Sequence, residues 1–308
     1  MVVQTPDRGT KPPPRGPQPP RTLLRRLTLW LEQARALRGW IDEARAGSPA
    51  LDATFETIER DSELGGNILA GAVAYRLFVF MLPLAFFLVS GVGLLASAVG
   101  VKADVIVNSV GFAGVVTKQV ANASKGSSSW WVAITSFVAL VYATRVLLLA
   151  VAKVHSLAWE RSAASVKISS RALGIFGLAI VGQVALGAAV TGLNHKTLLG
   201  GILGFLVFLA LLAALWLLVS LELPHSDARW TDLIPGSLFY ATGLVGVQIF
   251  NILLLGRLIQ SKASTYGALG MAATLLLGFF LVGRVMVGAA VLNATLYQRR
   301  TRSDDETS

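Results

Sequence analysis

The sequence predicts an all-α, polytopic membrane protein with about six transmembrane helices and both termini cytoplasmic. The composition, a series of apolar runs of crossing length, and the placement of basic residues all point to it. Of the 308 residues, 54% are hydrophobic and only 14% charged, and the mean hydropathy is +0.64, outside what an ordinary soluble domain uses. A ~30 Å hydrocarbon layer needs roughly 20 apolar residues per helix. Such runs occur near 66–99, 130–152, 172–193, 199–221, 233–256 and 267–292. Of the 27 Lys and Arg, 18 fall in residues 1–65, 153–171, 222–232 and beyond 297. The alternate connections hold six: Lys102, Lys118, Lys125, Lys196, Arg257 and Lys262. Basic residues stay cytoplasmic while acidic ones count for little, which sets the orientation.

Residues 1–20, rich in Pro, Arg and Gly, bury too little apolar surface to offset chain entropy and are expected to be a disordered tail. Residues 21–65 form a cytoplasmic segment of different character. Leu23, Leu27, Leu31, Ala34, Leu37 and Ile41 recur at helical spacing, flanked by Arg21, Arg25, Arg35, Arg38 and Arg45. That pattern suits a basic helix on an anionic membrane surface, or one packed on the protein's own cytoplasmic loops. The first long apolar run begins after residue 64, behind a charged stretch, so no cleavable signal peptide is expected and the first helix is read as a signal anchor. Residues 66–297 make the six-helix domain and 298–308 a cytoplasmic tail.

Within the domain, Pro83 should kink the first crossing, because proline removes a backbone donor and crowds the preceding turn. The connection 100–129 is long and fairly apolar and is read as carrying an interfacial helix. Trp130 and Trp131 mark one headgroup layer, and Trp216 and Trp230 the opposite one. Asp232 is placed to cap the fifth helix near Pro235. The glycines of the third and sixth crossings, Gly177, Gly182, Gly187 and Gly192, then Gly278, Gly283 and Gly288, serve close packing.

Arg76, Arg145 and Arg284 fall inside predicted crossings, and every carboxylate lies in a terminal or loop segment. The arginines therefore have no evident intramembrane counter-ion. Each lies about 10–12 Å from the inner end of its helix at ~1.5 Å per residue. Facing inward, they would form a basic pocket for a phosphate or carboxylate, which the guanidinium fork matches. Facing outward, they snorkel to the inner headgroups as anchors. Gln183, Gln248 and Asn251 either line a polar path or bond between helices, the commoner use of such amides.

Three stretches carry a family resemblance. Residues 68–84, the connection from Leu223-Pro224 through Trp230 to Pro235-Gly236, and 266–297, ending Gly288-Ala289-Ala290-Val291-Leu292-Asn293-Ala294, together resemble the YihY/BrkB family of bacterial inner-membrane proteins. The basic amino terminus is similar to YhjD-type members. The resemblance implies six transmembrane helices and an envelope role in the bacterial cytoplasmic membrane. Family members often end the last helix Gly-Ala-Glu-Leu-Asn-Ala, and here Val291 takes the acid's place. The family has carried a ribonuclease label. Against it, His155, His195 and His225 fall on three different predicted loops, without metal-ligand spacing.

With no cysteine there is no disulfide or thiolate site. No catalytic residue, metal site or cofactor is expected. The leading expectation is a non-enzymatic envelope protein that binds or transports an anionic substrate such as a lipid. Arg76, Arg145 and Arg284 would hold its headgroup, and Gln183, Gln248 and Asn251 would line its path. Its expected partners are anionic membrane lipids and not nucleic acid, since the positive-inside rule accounts for most of the excess charge. The alternative is a structural or assembly protein for envelope integrity, and a membrane ribonuclease is a distant third.

Overall fold

The computed structural model describes residues 45–99, 130–192, 198–250 and 256–307, with isolated positions 39 and 253. The tail 1–20, most of the amphipathic stripe, the connection 100–129, His195 and Asn251 lie outside the described residues. The chain divides into two compact units, residues 1–55 and 56–308. The helix α1 (Pro49–Glu63) runs across that boundary, with Glu56–Glu63 in the second unit, and starts at Ser48-Pro49, where proline's missing N–H falls among groups no helix can pair. Ser48 O accepts from Asp52 N at 3.0 Å. Arg45 Nε donates to Asp52 at 2.8 Å, and its guanidinium lies 5.8 Å from the Phe55 ring centre.

The second unit contains the long apolar helices. They are α2 (Gly66–Val99), α3 (Trp130–Ala158), α4 (Ser170–Gly192), α5 (Leu198–Glu222), α6 (Ile234–Phe250) and α7 (Gly256–Thr307). Short 3₁₀ turns precede α4 and α6, at Ala163–Ser165 and Trp230–Leu233, and the described residues hold no strand. Helices are what a bilayer demands, because hydrocarbon offers no partner to an unpaired peptide group. Five are long and apolar enough to cross a membrane over their described residues: Gly66–Phe87, Trp130–Ala158, Gly201–Glu222, Trp230–Phe250 and Ala272–Glu306. The expected third crossing is α4, 23 residues long, whose described apolar stretch is the shorter Ser170–Gln183. The lateral surface is correspondingly apolar, with Ile68, Tyr142, Leu178 and Leu203 each at least 66% exposed.

The segments assigned to one side by charge are joined at one end of the bundle. Arg161 donates to His225 O at 2.7 Å and Arg171 pairs with Glu222 at 2.9 Å, tying the α3–α4 and α5–α6 connections. Arg300 pairs with Asp232 at 2.9 Å and Arg299 with Glu56 at 2.7 Å. These last pairs explain a departure from expectation: residues 298–307 are the continuation of α7 and not a separate tail, since no breaker intervenes and their cations find carboxylates. Asp232 also departs from its expected role. Its carboxylate accepts from Arg229 N at 2.8 Å, closing the 3₁₀ turn before α6 and not capping α6 itself.

The start of α6 is held instead by α7. Asn293, 1% exposed, accepts from Gly236 N at 2.6 Å and donates to Leu233 O at 3.2 Å, satisfying a first-turn N–H that the helix leaves unpaired. A side chain on Gly236 would strike Asn293 and the Ala289 carbonyl. α7 meets α2 as closely: a Cβ on Gly283 would lie 2.6 Å from Ala70 O, so the two backbones touch where Ala70, Val73, Val287 and Ala290 are fully buried. Pro83 sits within α2, whose helix continues through it to Val99. Trp216 is 1% exposed and stacks on Tyr240 at 3.9 Å, so it belongs to the core and not to a headgroup layer. Trp130, Trp131 and Trp230 are more than half exposed.

The glycines make a testable contrast. Gly283 has no room for a side chain, whereas a Cβ on Gly177 meets nothing within 4 Å, which leaves that expected packing glycine without a packing role. Gly283→Leu should destabilise the detergent-solubilised protein by about 1–3 kcal/mol or more through overpacking. Gly177→Leu should leave the melting temperature near that of the parent, both read by intrinsic tryptophan fluorescence.

Candidate functional site

Two features of the second unit bring sequence-flagged residues together: an ion-pair network at the end of the bundle that the positive-inside rule assigns as inner, and a cavity among the helices. The network starts with a turn. α1 ends at Glu63 and α2 begins at Gly66, joined through Leu64 and Gly65, whose φ of +66° is a conformation that favours glycine. The reversal sets Asp61 beside Arg284, whose guanidinium donates to both carboxylate oxygens, at 3.1 and 2.8 Å. Gly66 leaves the space for them, since a Cβ there would collide with Asp61 and lie 2.7 Å from Arg284 Nη1. Arg284 thus has a counter-ion, contrary to the sequence expectation. Asp61 is 223 residues from Arg284 in sequence, and the tight Gly65-Gly66 turn delivers it.

The neighbouring Arg60, 13% exposed at its side chain, binds three elements at once. It donates to Ala158 O at 2.7 Å, to Glu160 Oε1 at 3.0 Å, and to Gln298 Oε1. Ala158 closes α3, and a cation at a helix carboxyl end complements its exposed carbonyls. Glu160 adopts a φ of +54°, and Arg161 N reaches back to Ser156 O at 2.7 Å, the pattern of a left-handed helix stop made without glycine.

Arg76 and Arg145 are both exposed on the lateral surface. Packing registers give their relative depth. Phe87 and Phe137 meet at 5.8 Å and Phe78 and Phe279 at 6.5 Å. Counting inward from these contacts on antiparallel helices, Arg145, Arg76 and Arg284 are spaced by about 5 Å each, some 10 Å in all. They are therefore staggered over about a third of a ~30 Å hydrocarbon layer and do not share the single depth the sequence suggested, and the cavities among the described residues are lined by none of them.

The cavity lies among α2, α3, α4, α5, α6 and α7 and has a volume of about 370 Å³. Its walls are mostly apolar, including Phe80, Leu147, Phe176, Leu244 and Met286. Gln183 and Gln248, flagged by sequence, both line it, and Tyr240 Oη donates to Gln183 Oε1 at 3.2 Å. Trp216, stacked on Tyr240, also lines it, and its buried Nε1 has no hydrogen-bond partner. The wall therefore carries amide, phenol and indole groups but no carboxylate, ammonium, guanidinium or imidazole. Tyr240 escaped sequence reasoning because an aromatic in an apolar helix looks like any core residue, and Trp216 was singled out only as a headgroup-layer marker, a role its burial excludes.

A smaller, more polar cavity of about 210 Å³ sits toward the inner end, lined by Lys167, Glu222 and His225 among apolar residues. His155 is a buried residue of α3 and not a loop residue, 6.2 Å from the Trp216 ring. No group of three His, Asp or Glu side chains arranged to hold a metal occurs among the described residues.

A family model described as virulence factor BrkB matches residues 57–308, which include the Asp61–Arg284 pair and the whole cavity. The chain belongs to the virulence factor BrkB family. No curated protein and no solved structure matches it. In this BrkB-family chain Val291 is fully buried in the core beside Ala290 and Ala294. Membership, together with the apolar helices, makes it a multi-pass membrane protein.

The ion pair makes its own prediction. Asp61→Asn leaves the Arg284 charge short of a partner in a partly buried site and should cost roughly 1–3 kcal/mol, between exposed and buried pairs. A double-mutant cycle with Arg284→Gln, read by thermal unfolding in detergent, should give a coupling energy clearly above zero.

Proposed function

We propose that this BrkB-family protein is a non-enzymatic protein of the bacterial cytoplasmic membrane that binds an anionic membrane lipid within its helix bundle, as a carrier or flippase does. The observation that carries this reading is the cavity: about 370 Å³ of mostly apolar wall with Gln183, Gln248, Tyr240 and Trp216 converging on it. That size falls within the ~300–1,000 Å³ of small-molecule sites, and a few polar groups in an apolar chamber suit an amphiphile. Tyr240 is the cavity's one titratable side chain, which favours binding over acid–base chemistry.

The preference for anions rests on Arg76 and Arg145. Both guanidiniums are exposed on helices that cross hydrocarbon, so each must find a phosphate or water at the inner headgroup layer. Arg284 is set apart from them because Asp61 already neutralises it.

Native mass spectrometry of protein released from mixed phosphatidylglycerol and phosphatidylethanolamine micelles tests the reading. The parent should retain phosphatidylglycerol preferentially, and an Arg76→Gln, Arg145→Gln double variant should lose that preference by roughly tenfold, as expected for one or two charge-assisted hydrogen bonds. Gln183→Leu with Gln248→Leu should lower retention of both lipids. Equal retention by parent and all variants would instead favour an assembly protein whose arginines are anchors.

A further inference from the structure

A second opening adjoins the cavity, between α3 and α4 on the lateral surface. It has a volume of about 530 Å³ and is walled by α2, α3 and α4. α2 packs along α3 extensively, but α3 and α4 meet little, because the connection 159–169 between them is irregular and lets them part. The outer rim is exposed: Phe137 and Val141 on α3, Leu178 and Val181 on α4, at 41–67%. The floor is not, with Phe80 at 5% and Thr144 at 7% exposed. Phe80, Leu84 and Ile180 line both this cleft and the central cavity, so three side chains form the partition between them.

Two glycines shape the opening. Gly174 and Gly177 line it, and a Cβ on either would meet nothing within 4 Å. Their small size is not demanded by a neighbouring helix, so the space they leave is a property of the cleft. At the inner end the surroundings turn basic. Arg145 follows Phe137 and Val141 at intervals of four residues and so continues the α3 rim one turn inward. Lys167 lines the polar cavity that borders the same gap.

Resting on the reading of the central cavity as a lipid site, we infer that the α3–α4 cleft is the lateral portal through which one acyl chain of a bilayer glycerophospholipid reaches that cavity, its anionic headgroup held at Arg145. The occupant follows from what surrounds the cleft. The rim residues lie on α3, a helix of membrane-crossing length, and on the shorter apolar stretch Ser170–Gln183 of α4, so lipid hydrocarbon faces the opening, and a slot walled almost wholly by apolar side chains admits a chain in preference to a headgroup. A basic side chain at the inner end of the slot and none along it matches the polarity of a phospholipid whose head stays in the inner leaflet.

The full chain in nanodiscs containing phosphatidylglycerol with a diazirine at the acyl terminus tests this, with adducts located by peptide mass spectrometry. The parent should be labelled both at the cleft, in peptides carrying Gly177 and Val181, and at the cavity, at Leu244, which does not line the cleft. Gly177→Phe fills the slot without touching the cavity wall and should abolish the Leu244 adduct; Gly174→Leu is a milder second block, and Gly177→Ala should retain labelling. Arg145→Gln should reduce cleft labelling by phosphatidylglycerol but not by phosphatidylcholine carrying the same chain. An unchanged Leu244 adduct in folded Gly177→Phe and Gly174→Leu overturns the portal while leaving the central site standing. Cleft labelling in the parent with none at Leu244 overturns the central site and reduces the cleft to a groove for annular lipid.

Discussion

The contact between Asp61 and Arg284 organises the inner end of this protein. An arginine within a membrane helix is tolerable only if it reaches headgroups, water or an opposite charge. Here the opposite charge comes from the helix before the first crossing, folded back by Gly65 and admitted by the missing side chain of Gly66. Once the Glu56–Glu63 end of α1 is held against α7, Arg60, the position before Asp61, is brought to the end of α3 and to Gln298, and Glu56 one turn earlier to Arg299. Three helices, α1, α3 and α7, are thus fastened by side chains that two adjacent glycines make possible.

Deeper in the bundle the packing logic is that of membranes and not of water. Where surrounding hydrocarbon is as apolar as the helix surfaces, association depends on close backbone approach and a few buried polar contacts. Gly283 against Ala70 supplies the first and Asn293 against Gly236 and Leu233 the second. Both lie on α7, which contacts α2, α3 and α6 and acts as the spine of the unit. With α7 filling one side so tightly, the loosely met α3 and α4 leave space on the other, and the central cavity and the lateral cleft both occur beside that gap.

The first crossing, 66–99, and the starts of the second and fourth were legible in the sequence because a run of apolar residues about 20 long is a property of composition that tertiary contacts do not override. The grouping of 153–171, 222–232 and the carboxyl end on one side was legible in the charge distribution, and the hydrogen bonds from Arg161 to His225 and from Arg300 to Asp232 join those segments. Gln183 and Gln248 were legible as polar groups out of place, and they line the same cavity. The roles of Asp232, Trp216, His155 and Gly177 were not. Each depends on what a neighbouring helix presents: a carboxylate turned to Arg229, an indole covered by Tyr240, an imidazole enclosed near Trp216, a glycine facing empty space.

The sequence by itself determined that the chain is helical, that it crosses the membrane repeatedly, and which segments lie together at its ends. Those properties follow from local hydropathy and from the cost of moving charge across hydrocarbon, summed residue by residue. Only the tertiary structure decided that Arg284 is neutralised while Arg76 and Arg145 are exposed, and that two glutamines and two aromatics surround one chamber. Those outcomes depend on the rotation of each helix about its own axis and on single turns such as Gly65-Gly66. Packing fixes both, and a one-dimensional pattern of apolar residues that surrounds each helix almost evenly leaves them open.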